Sequence, residues 1–339
     1  MRNTREKIYM YIKKKKSVSG SELTDSFGIS RQALNKHLKA LIQKRKVAKV
    51  GTTKGAVYKI ARRASPKRHF RKNYLLKNLE EDKVFAEIDL FLKLRKKLRE
   101  NVFDIVNYAF TEILNNAIDH SRSKKCSVEV GLDQYSCNFK IRDLGIGIFY
   151  SVYSKLNLQD ENSAVGELIK GKTTTAKEKH TGEGVFFTSK SGDNVAFRSH
   201  RTNLIFDNVK RDIIVEEKKF MNGTEVDFTV GRASSRLIDR IFKQYAPEAF
   251  DYKFEKTRVF VKLFQKEYIS RSEAKRLLSG LDKFKEIVLD FIGVKALGQG
   301  FVDEVFRVFQ KQHPDITIKI ENLSPILASI IKHVVDNKI

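Results

Sequence analysis

The feature that most limits what this chain of 339 residues can fold into is a helical pattern between residues 101 and 121. Apolar side chains recur there at helical spacing and predict a face that packs on a sheet: Val106, Phe110, Ile113 and Ala117. Glu112, Asn116 and Asp119 form a separate polar stripe on the same helix. Two carboxylates and an amide on one face can hold a metal ion and activate a hydroxyl group. Taken alone, such a stripe is more typical of a solvated helix surface.

A second pattern follows directly in the chain. Two runs typical of strands, CSVEVGL and NFKIRD, lead into the segment Asp143-Leu-Gly145-Ile-Gly147. A carboxylate at a strand end, followed by alternating glycines, is suited to close approach of the backbone to a ligand. This pattern indicates that the polar helix stripe belongs to a binding site.

Two further glycine motifs complete the set. After some thirty polar residues, HTGEGVFFTSKSG places Gly182 and Gly184 at the start of a predicted helix. Helix N-termini of this kind offer bare N–H groups and a favourable dipole to a phosphate. Later, MNGTEVDFTV is a glycine turn with Thr224 leading into a strand. Helix stripe, Asp-Gly-Gly segment, glycine-rich helix start and Gly-Thr turn therefore occur in a fixed order.

That order, across roughly residues 77–230, resembles the Bergerat (GHKL) ATP-binding fold of gyrase, MutL, histidine kinases and anti-sigma-factor kinases. The resemblance implies an α+β sandwich that uses ATP and Mg²⁺ as cofactors. It implies that Glu112 is a general base and that Asn116 holds Mg²⁺. It also implies that Asp143 accepts a hydrogen bond from the adenine amino group and that Gly145 and Gly147 shape the adenine pocket. Gly182 and Gly184 would bind the phosphates, and Thr224 would contact the base side. Asp119 would form a hydrogen bond near the sugar or Asp143.

The segment GELIKGKTTT, residues 166–175, matches the spacing of a phosphate-binding P-loop. A P-loop follows a buried apolar strand and opens an apolar helix. Here KLNLQDENSAV precedes the motif and is too polar for such a strand, and two glycines follow before an apolar helix can form. We therefore interpret this segment as part of a mobile ATP lid, with Lys172 and Thr173 to Thr175 as phosphate ligands.

Charge is concentrated at the N-terminus. The formal net charge is +25, and residues 1–72 hold 22 Lys and Arg against three acidic residues. Such an asymmetry favours a polyanionic partner over a merely solvated basic face.

The same N-terminal stretch predicts a helix, a helix-turn-helix and a hairpin. Gly28 allows the turn, Ser30 caps the second helix, and VAKVGTTKGAVYKI forms the hairpin. Residues 1–60 resemble a winged helix-turn-helix domain of bacterial regulators, which implies double-stranded DNA as a partner, residues 30–44 as recognition helix and residues 52–54 as wing tip. A winged helix used for protein contact is the alternative. The side chains suited to phosphates and base edges are Arg31, Gln32, Asn35, Lys36, Lys39 and Lys54.

The remaining segments complete the expected organisation. Residues 61–76 read as a basic linker, residues 77–232 as the ATP-binding domain, and residues 233–339 as a connecting helix with a small α/β domain. The segment EIVLDFIGVKALGQGFVDEVFRVF resembles a STAS-like domain, the fold of anti-anti-sigma factors. In those systems a Ser or Thr at the start of the helix after the LDF strand is phosphorylated. Residues 297–300 here read Leu-Gly-Gln-Gly and carry no hydroxyl group.

Two observations bear on the cellular setting. Cys126 and Cys137 are the only cysteines, and their spacing fits no metal or redox motif, so we expect buried free thiols in a reducing cytoplasm. No apolar run approaches the roughly 20 residues of a membrane helix, and the start of the chain lacks a signal-peptide pattern. We therefore expect a cytoplasmic protein.

The functional hypothesis is an ATP-binding, DNA-binding transcriptional regulator in which the nucleotide state of the GHKL domain controls the winged helix. Slow Mg²⁺-dependent ATP hydrolysis would reset the switch, and two half-sites on DNA would suit a homodimer. The alternative is a serine/threonine protein kinase of the anti-sigma-factor type, acting on a STAS partner in a partner-switching pathway. A DNA-processing ATPase is a third hypothesis, although no nuclease or topoisomerase motif accompanies it.

Overall fold

The computed structural model describes residues 4–15, 17–43, 46–50, 56–60, 68–172, 183–251, 253–263 and 267–336. The chain divides into two compact units, Met1–Lys67 and Arg68–Ile339. Several residues with predicted ligand contacts lie outside the described residues: the wing tip (residues 52–54, with Lys54), Thr173 to Thr175, and Gly182.

The first unit is a helix-turn-helix with a small antiparallel sheet in the strand order β1-β3-β2. The left-handed backbone of Gly28 (φ 59°) makes the predicted turn between α2 and α3. The hydroxyl oxygens of Ser19 and Ser30 accept hydrogen bonds from backbone N–H groups in the first turns of these helices. The elements are α1 (Thr4–Lys15), β1 (Val18–Ser19), α2 (Gly20–Phe27), α3 (Arg31–Gln43), β2 (Val47–Val50) and β3 (Val57–Ile60).

The second unit is built on a seven-stranded antiparallel sheet with the order β4-β5-β6-β10-β7-β8-β9. Every second side chain of β6 is buried, as expected for a sheet with one face against helices. Its strands are β4 (Arg68–Leu75), β5 (Lys125–Leu132), β6 (Ser136–Asp143), β7 (Asn194–Ser199), β8 (Thr202–Asp207), β9 (Asp212–Glu217) and β10 (Thr224–Gly231).

Strand β4 corrects the predicted basic linker over residues 61–76. Residues 68–75 pair with β5 along their whole length. Phe70 and Tyr74 are buried on the inner face, and the exposed Lys72 forms an ion pair with Glu87 at 2.7 Å. The high density of positive charge hid a strand whose two aromatic residues hold it to the sheet.

Helices from the middle region, residues 68–232, cover the sheet, and one short helix leads into the C-terminal region, residues 233–336. Lys93 separates two of these helices, because its left-handed backbone (φ 58°) ends the first and begins the second. The buried thiols of Cys126 and Cys137 lie in this core, and burial raises the pKa of each to about 12. The helices are α4 (Glu81–Leu92), α5 (Leu94–Lys97), α6 (Glu100–His120), α7 (Ile148–Lys155), α8 (Glu161–Lys170), α9 (Gly184–Ser191) and α10 (Ile238–Tyr245).

The C-terminal region forms a small α/β sandwich around a parallel sheet in the order β11-β13-β15, as its alternating pattern predicts. A short parallel pair, β12 with β14, lies beside it, and a π-helix spans Glu304–Phe309. The elements are β11 (Lys256–Phe260), β12 (Glu267–Tyr268), α11 (Arg271–Leu278), β13 (Glu286–Asp290), β14 (Ala296–Leu297), α12 (Gln299–Asp303), α13 (Gln310–Gln312), β15 (Thr317–Glu321) and α14 (Pro325–Asp336).

Candidate functional site

A cavity of about 420 Å³ lies between α6, the sheet and α9 in the second unit. Its volume is within the range typical of small-molecule sites. Six residues of the predicted nucleotide site line it: Glu112, Asn116, Asp143, Gly147, Gly184 and Thr224. Its apolar walls come from α6, α7 and the sheet: Ile113, Ala117, Ile141, Ile148, Val152 and Val226.

Asp143 is the most deeply placed charged group of the cavity, with a residue exposure of 4%. Its Oδ1 accepts hydrogen bonds from the backbone N–H groups of Gly145 at 2.8 Å and Thr224 at 3.3 Å. Burial raises the pKa of the carboxyl, although these N–H donors act in the opposite direction. The backbone therefore fixes an acceptor at the end of β6, beside the aliphatic side chains that line the cavity.

Three glycines in the loops around this carboxylate have neighbours that leave no room for a side chain. A Cβ on Gly145 would lie 1.8 Å from the carbonyl oxygen of Ser121, so the loop packs directly on the end of α6. Gly147 has a left-handed backbone (φ 85°), and a Cβ there would meet Ser199 Oγ at 2.3 Å. Gly145 itself is not among the described residues that line the cavity, so its contribution is to the loop around Asp143.

Gly223 is the third of these glycines and makes the turn that the Asn-Gly pair at residues 222–223 predicts. Its backbone is left-handed (φ 77°), and a Cβ would lie 2.7 Å from Asp143 Oδ1. This close approach to Asp143 was not predicted. The turn brings the N–H of Thr224 to Asp143, and the Thr224 hydroxyl accepts from Ile148 N at 2.9 Å.

Glu112 lies at the end of the cavity formed by α9. A Cβ on Gly184 would be 2.0 Å from Glu112 Oε2, so the carboxylate rests against the first residue of that helix. The N-terminus of a helix favours negative charge because its N–H groups and dipole point outward. The absent side chain of Gly184 thus leaves room for the Glu112 carboxylate beside the start of α9.

Of the three residues in the predicted polar stripe of α6, Glu112 and Asn116 line the cavity. Asp119 lies on the exposed side of the helix and is not among the described residues that line the cavity. Tyr108 and His120 line it together with Glu112 and Asn116, at steps of four residues. Four-residue steps follow the inclined ridge of a helix, whereas the step of three from Asn116 turns Asp119 away.

The Nδ2 atom of Asn116 is buried and has no hydrogen-bond partner among the described residues. Buried polar groups are rarely left unpaired, so this amide suits a ligand acceptor. The described residues contain no group of three or more His, Cys, Asp or Glu side chains arranged to hold a metal ion. A Mg²⁺ ion here would depend on Asn116 and on the oxygens of a bound ligand.

Lys172, predicted as a phosphate ligand, is not among the described residues that line the cavity. Its Nζ lies 3.0 Å from the Glu255 carboxylate and donates a hydrogen bond to the carbonyl oxygen of Lys283 at 2.9 Å. The same amine sits 4.9 Å from the centre of the Phe284 ring. In this structure the Lys172 side chain is therefore held by partners from the C-terminal region.

In the first unit, α3 presents a polar outer face. Its buried side chains are Leu34, Leu38 and Leu41. The described residues with a predicted role in DNA contact are all exposed on this helix: Arg31, Gln32, Asn35, Lys36 and Lys39.

Comparisons with known families cover both ends of the chain. Residues 4–58 match the model of a helix-turn-helix (HTH) domain family. Residues 273–327 match the STAS-like domain of unknown function (DUF4325). No curated protein matches the chain. The first match suggests a DNA-binding regulator. Throughout the described residues, no helix is both long and apolar enough to cross a membrane.

Proposed function

We propose that this protein is an ATP-binding transcriptional regulator, in which a nucleotide site of the GHKL type in the middle region controls DNA binding by the helix-turn-helix unit. The observation that carries the nucleotide assignment is Asp143, a buried carboxylate fixed by two backbone N–H groups beside aliphatic side chains. Such an acceptor suits the amino group of adenine, and the surrounding aliphatic side chains suit the faces of the ring.

The other end of the cavity suits the phosphates. The N-terminus of α9 begins at Gly184, where a phosphate would be favoured. The unpaired amide of Asn116 supports a ligand at the same end, and it is the residue that would hold Mg²⁺. The ion would supply neutralisation of phosphate charge.

Glu112 is the candidate general base. Its carboxylate lines the cavity beside the start of α9, where it could accept a proton from an attacking water molecule or hydroxyl group. The same chemistry would serve hydrolysis or transfer of a phosphoryl group to a protein hydroxyl. In a regulator, hydrolysis would return the protein to its nucleotide-free or ADP state.

DNA binding by the purified protein to its own upstream region tests this function directly. The measurement compares no nucleotide, ATP with Mg²⁺, and ADP, at roughly physiological salt so that non-specific binding is suppressed. A nucleotide can shift DNA affinity only through its different affinities for two states of the protein. We expect a specific DNA affinity that changes with nucleotide in the unaltered protein and is insensitive to nucleotide in Asp143→Asn.

The matched control is Asp227→Asn, which makes the same chemical change on β10 outside the cavity, where Asp227 pairs with Lys140 at 3.2 Å. It should keep the response to nucleotide. Specific DNA binding that ignores nucleotide in every protein would contradict the coupling. If ATP still binds in that case, phosphoryl transfer to a partner protein becomes the function to test.

Substitution of Lys36 tests the DNA face of α3. Lys36→Ala should weaken DNA binding across all sequences and reduce the slope of log affinity against log salt by about one. Lys96→Ala removes an exposed lysine of α5, so this variant has the same net charge as Lys36→Ala. It should leave the slope unchanged. Equal effects of the two substitutions would show that only the net charge matters.

A further inference from the structure

The cavity and the C-terminal region share two helices of the middle region. Leu168 of α8 lines the cavity, and two residues later Lys170 is buried against the C-terminal region. Val185 and Phe187 of α9 also line the cavity, while Phe186 packs among C-terminal aromatic rings. Movement of either helix would therefore change the packing of both the cavity and the C-terminal region.

Lys170 forms the polar part of this connection. The residue is 1% exposed, and its Nζ lies 3.0 Å from Glu167 Oε1 on the same helix. The ammonium also donates a hydrogen bond to the carbonyl oxygen of Ser279 at 2.6 Å. In return, the Thr257 hydroxyl of β11 donates to the carbonyl oxygen of Lys170 at 2.5 Å. The end of α8 is thus bonded to two separate segments of the C-terminal region.

The electrostatics of this joint make its partners interdependent. Burial lowers the pKa of Lys170, and the adjacent Glu167 carboxylate acts in the opposite direction. Lys283 lies 3.6 Å from the other oxygen of Glu167. A buried charge whose partner is withdrawn is costly, so α8 and the C-terminal segments keep their positions together.

The apolar part of the connection is an aromatic cluster around α9. Phe186 lies 4.6 Å from Phe254 and 4.9 Å from Tyr245, measured between ring centres. Phe187, which lines the cavity, lies 4.3 Å from Phe242. Close packing of this kind transmits displacement because the interior has few voids to absorb it.

Gly171 brings the two helices together. Its backbone is left-handed (φ 88°), and a Cβ would lie 2.8 Å from atoms of both Phe186 and Phe254. The turn after α8 therefore rests directly on the aromatic cluster. The segments on both sides of residues 173–182 are held by the same C-terminal structure.

We propose that the STAS-like C-terminal region sets the affinity of the cavity for nucleotide, with Lys170 as the positioning residue that links it to α8. The inference rests on the proposed nucleotide site and adds its mode of regulation. Because such coupling is reciprocal, nucleotide in the cavity also stabilises the C-terminal region. A partner that binds the C-terminal region would then alter nucleotide occupancy without touching the cavity.

The test is Lys170→Met in the full chain, which keeps the aliphatic volume and removes the ammonium. Binding of ATP with Mg²⁺ is measured by calorimetry well below the unfolding temperature, and amide hydrogen exchange of β11 and β13 is measured with and without nucleotide. We expect about fivefold or greater weakening of ATP binding and loss of the nucleotide-dependent protection of these strands. A purely structural role would lower the unfolding temperature and leave that protection intact.

Lys285→Met is the matched control, since Lys285 is about half exposed and pairs with Asp315 at 2.9 Å, away from α8. It should preserve both ATP affinity and strand protection. Should Lys170→Met fail to fold, Thr257→Val removes only the hydrogen bond to the Lys170 carbonyl and should show the same effects in weaker form.

The outcomes separate the two proposals. Absence of ATP binding by the unaltered protein overturns the proposed nucleotide site, and this inference falls with it. ATP binding by the unaltered protein, with equal affinity and equal strand protection in the folded variants, overturns the coupling alone.

Discussion

Replacing Gly145 with alanine should lower the free energy of unfolding of the second unit by about 1–3 kcal/mol or more, because a new methyl group has no room there. Its Cβ would lie 1.8 Å from the Ser121 carbonyl oxygen and 2.5 Å from the carbonyl carbon. The same carbonyl accepts a hydrogen bond from Ile146 N at 2.8 Å, so backbone on both sides must move. Urea denaturation followed by circular dichroism measures the change.

Gly300→Ala is a control with the opposite sign. Gly300 lies in α12, and a Cβ there would meet its nearest neighbour, Arg271 Cγ, at an ordinary 3.4 Å. Alanine in a compatible helical position typically stabilises a protein by about 0.4–1 kcal/mol. Similar destabilisation by both substitutions would show that the close approach of Gly145 to Ser121 does not constrain the fold.

Glu112→Gln should lower the rate of ATP turnover by about 10²–10⁴-fold, the usual contribution of a general base. ATP affinity should be kept or increased. In the proposed site Asp143 would still bind adenine, and a neutral side chain beside α9 would no longer repel phosphate. Single-turnover release of labelled phosphate measures the chemical step, and equilibrium binding is measured separately. The same loss is expected if the phosphoryl group passes to a partner protein.

Glu129→Gln provides the comparison, since Glu129 lies on β5 and pairs with Arg71 at 3.2 Å, outside the cavity. Its turnover should equal that of the unaltered protein. Turnover that survives in Glu112→Gln would assign the proton acceptor to another group. Loss of ATP binding in that variant would instead make Glu112 a residue of ligand recognition.

The sequence predicted those parts of the fold that depend on local pattern. Helix α6 and strands β5 and β6 follow from regular apolar spacing. The placement of Asn116 and Asp143 in one site came from the resemblance to the Bergerat fold, and both residues line one cavity. The helix-turn-helix unit followed from Gly28 and the cap at Ser30 in the same way. Each of these signals lies within a few residues of the structure that it determines.

Features that depend on distant partners were not predicted. Lys172 was predicted to bind phosphate as part of the ATP lid. In the structure its amine contacts Glu255 and Lys283, which are far along the chain and could not be identified from the local sequence. Strand β4 was hidden because its pairing with β5 could not be read from its own charged sequence. Asp119 lies on the exposed side of α6. A step of three residues from Asn116 turns its side chain away from the cavity, whereas a step of four keeps His120 in the lining.

Phe186 and Phe187 also determine where the chain can be divided into fragments that fold. The sequence suggested a boundary at residue 232, but a fragment that ended there would leave both rings, each 1% exposed in the whole chain, without their C-terminal neighbours. Such a fragment would show a sticky aromatic surface to water. The middle and C-terminal regions therefore belong to a single compact unit, and a fragment that keeps α8 and α9 would also need the C-terminal residues that cover them.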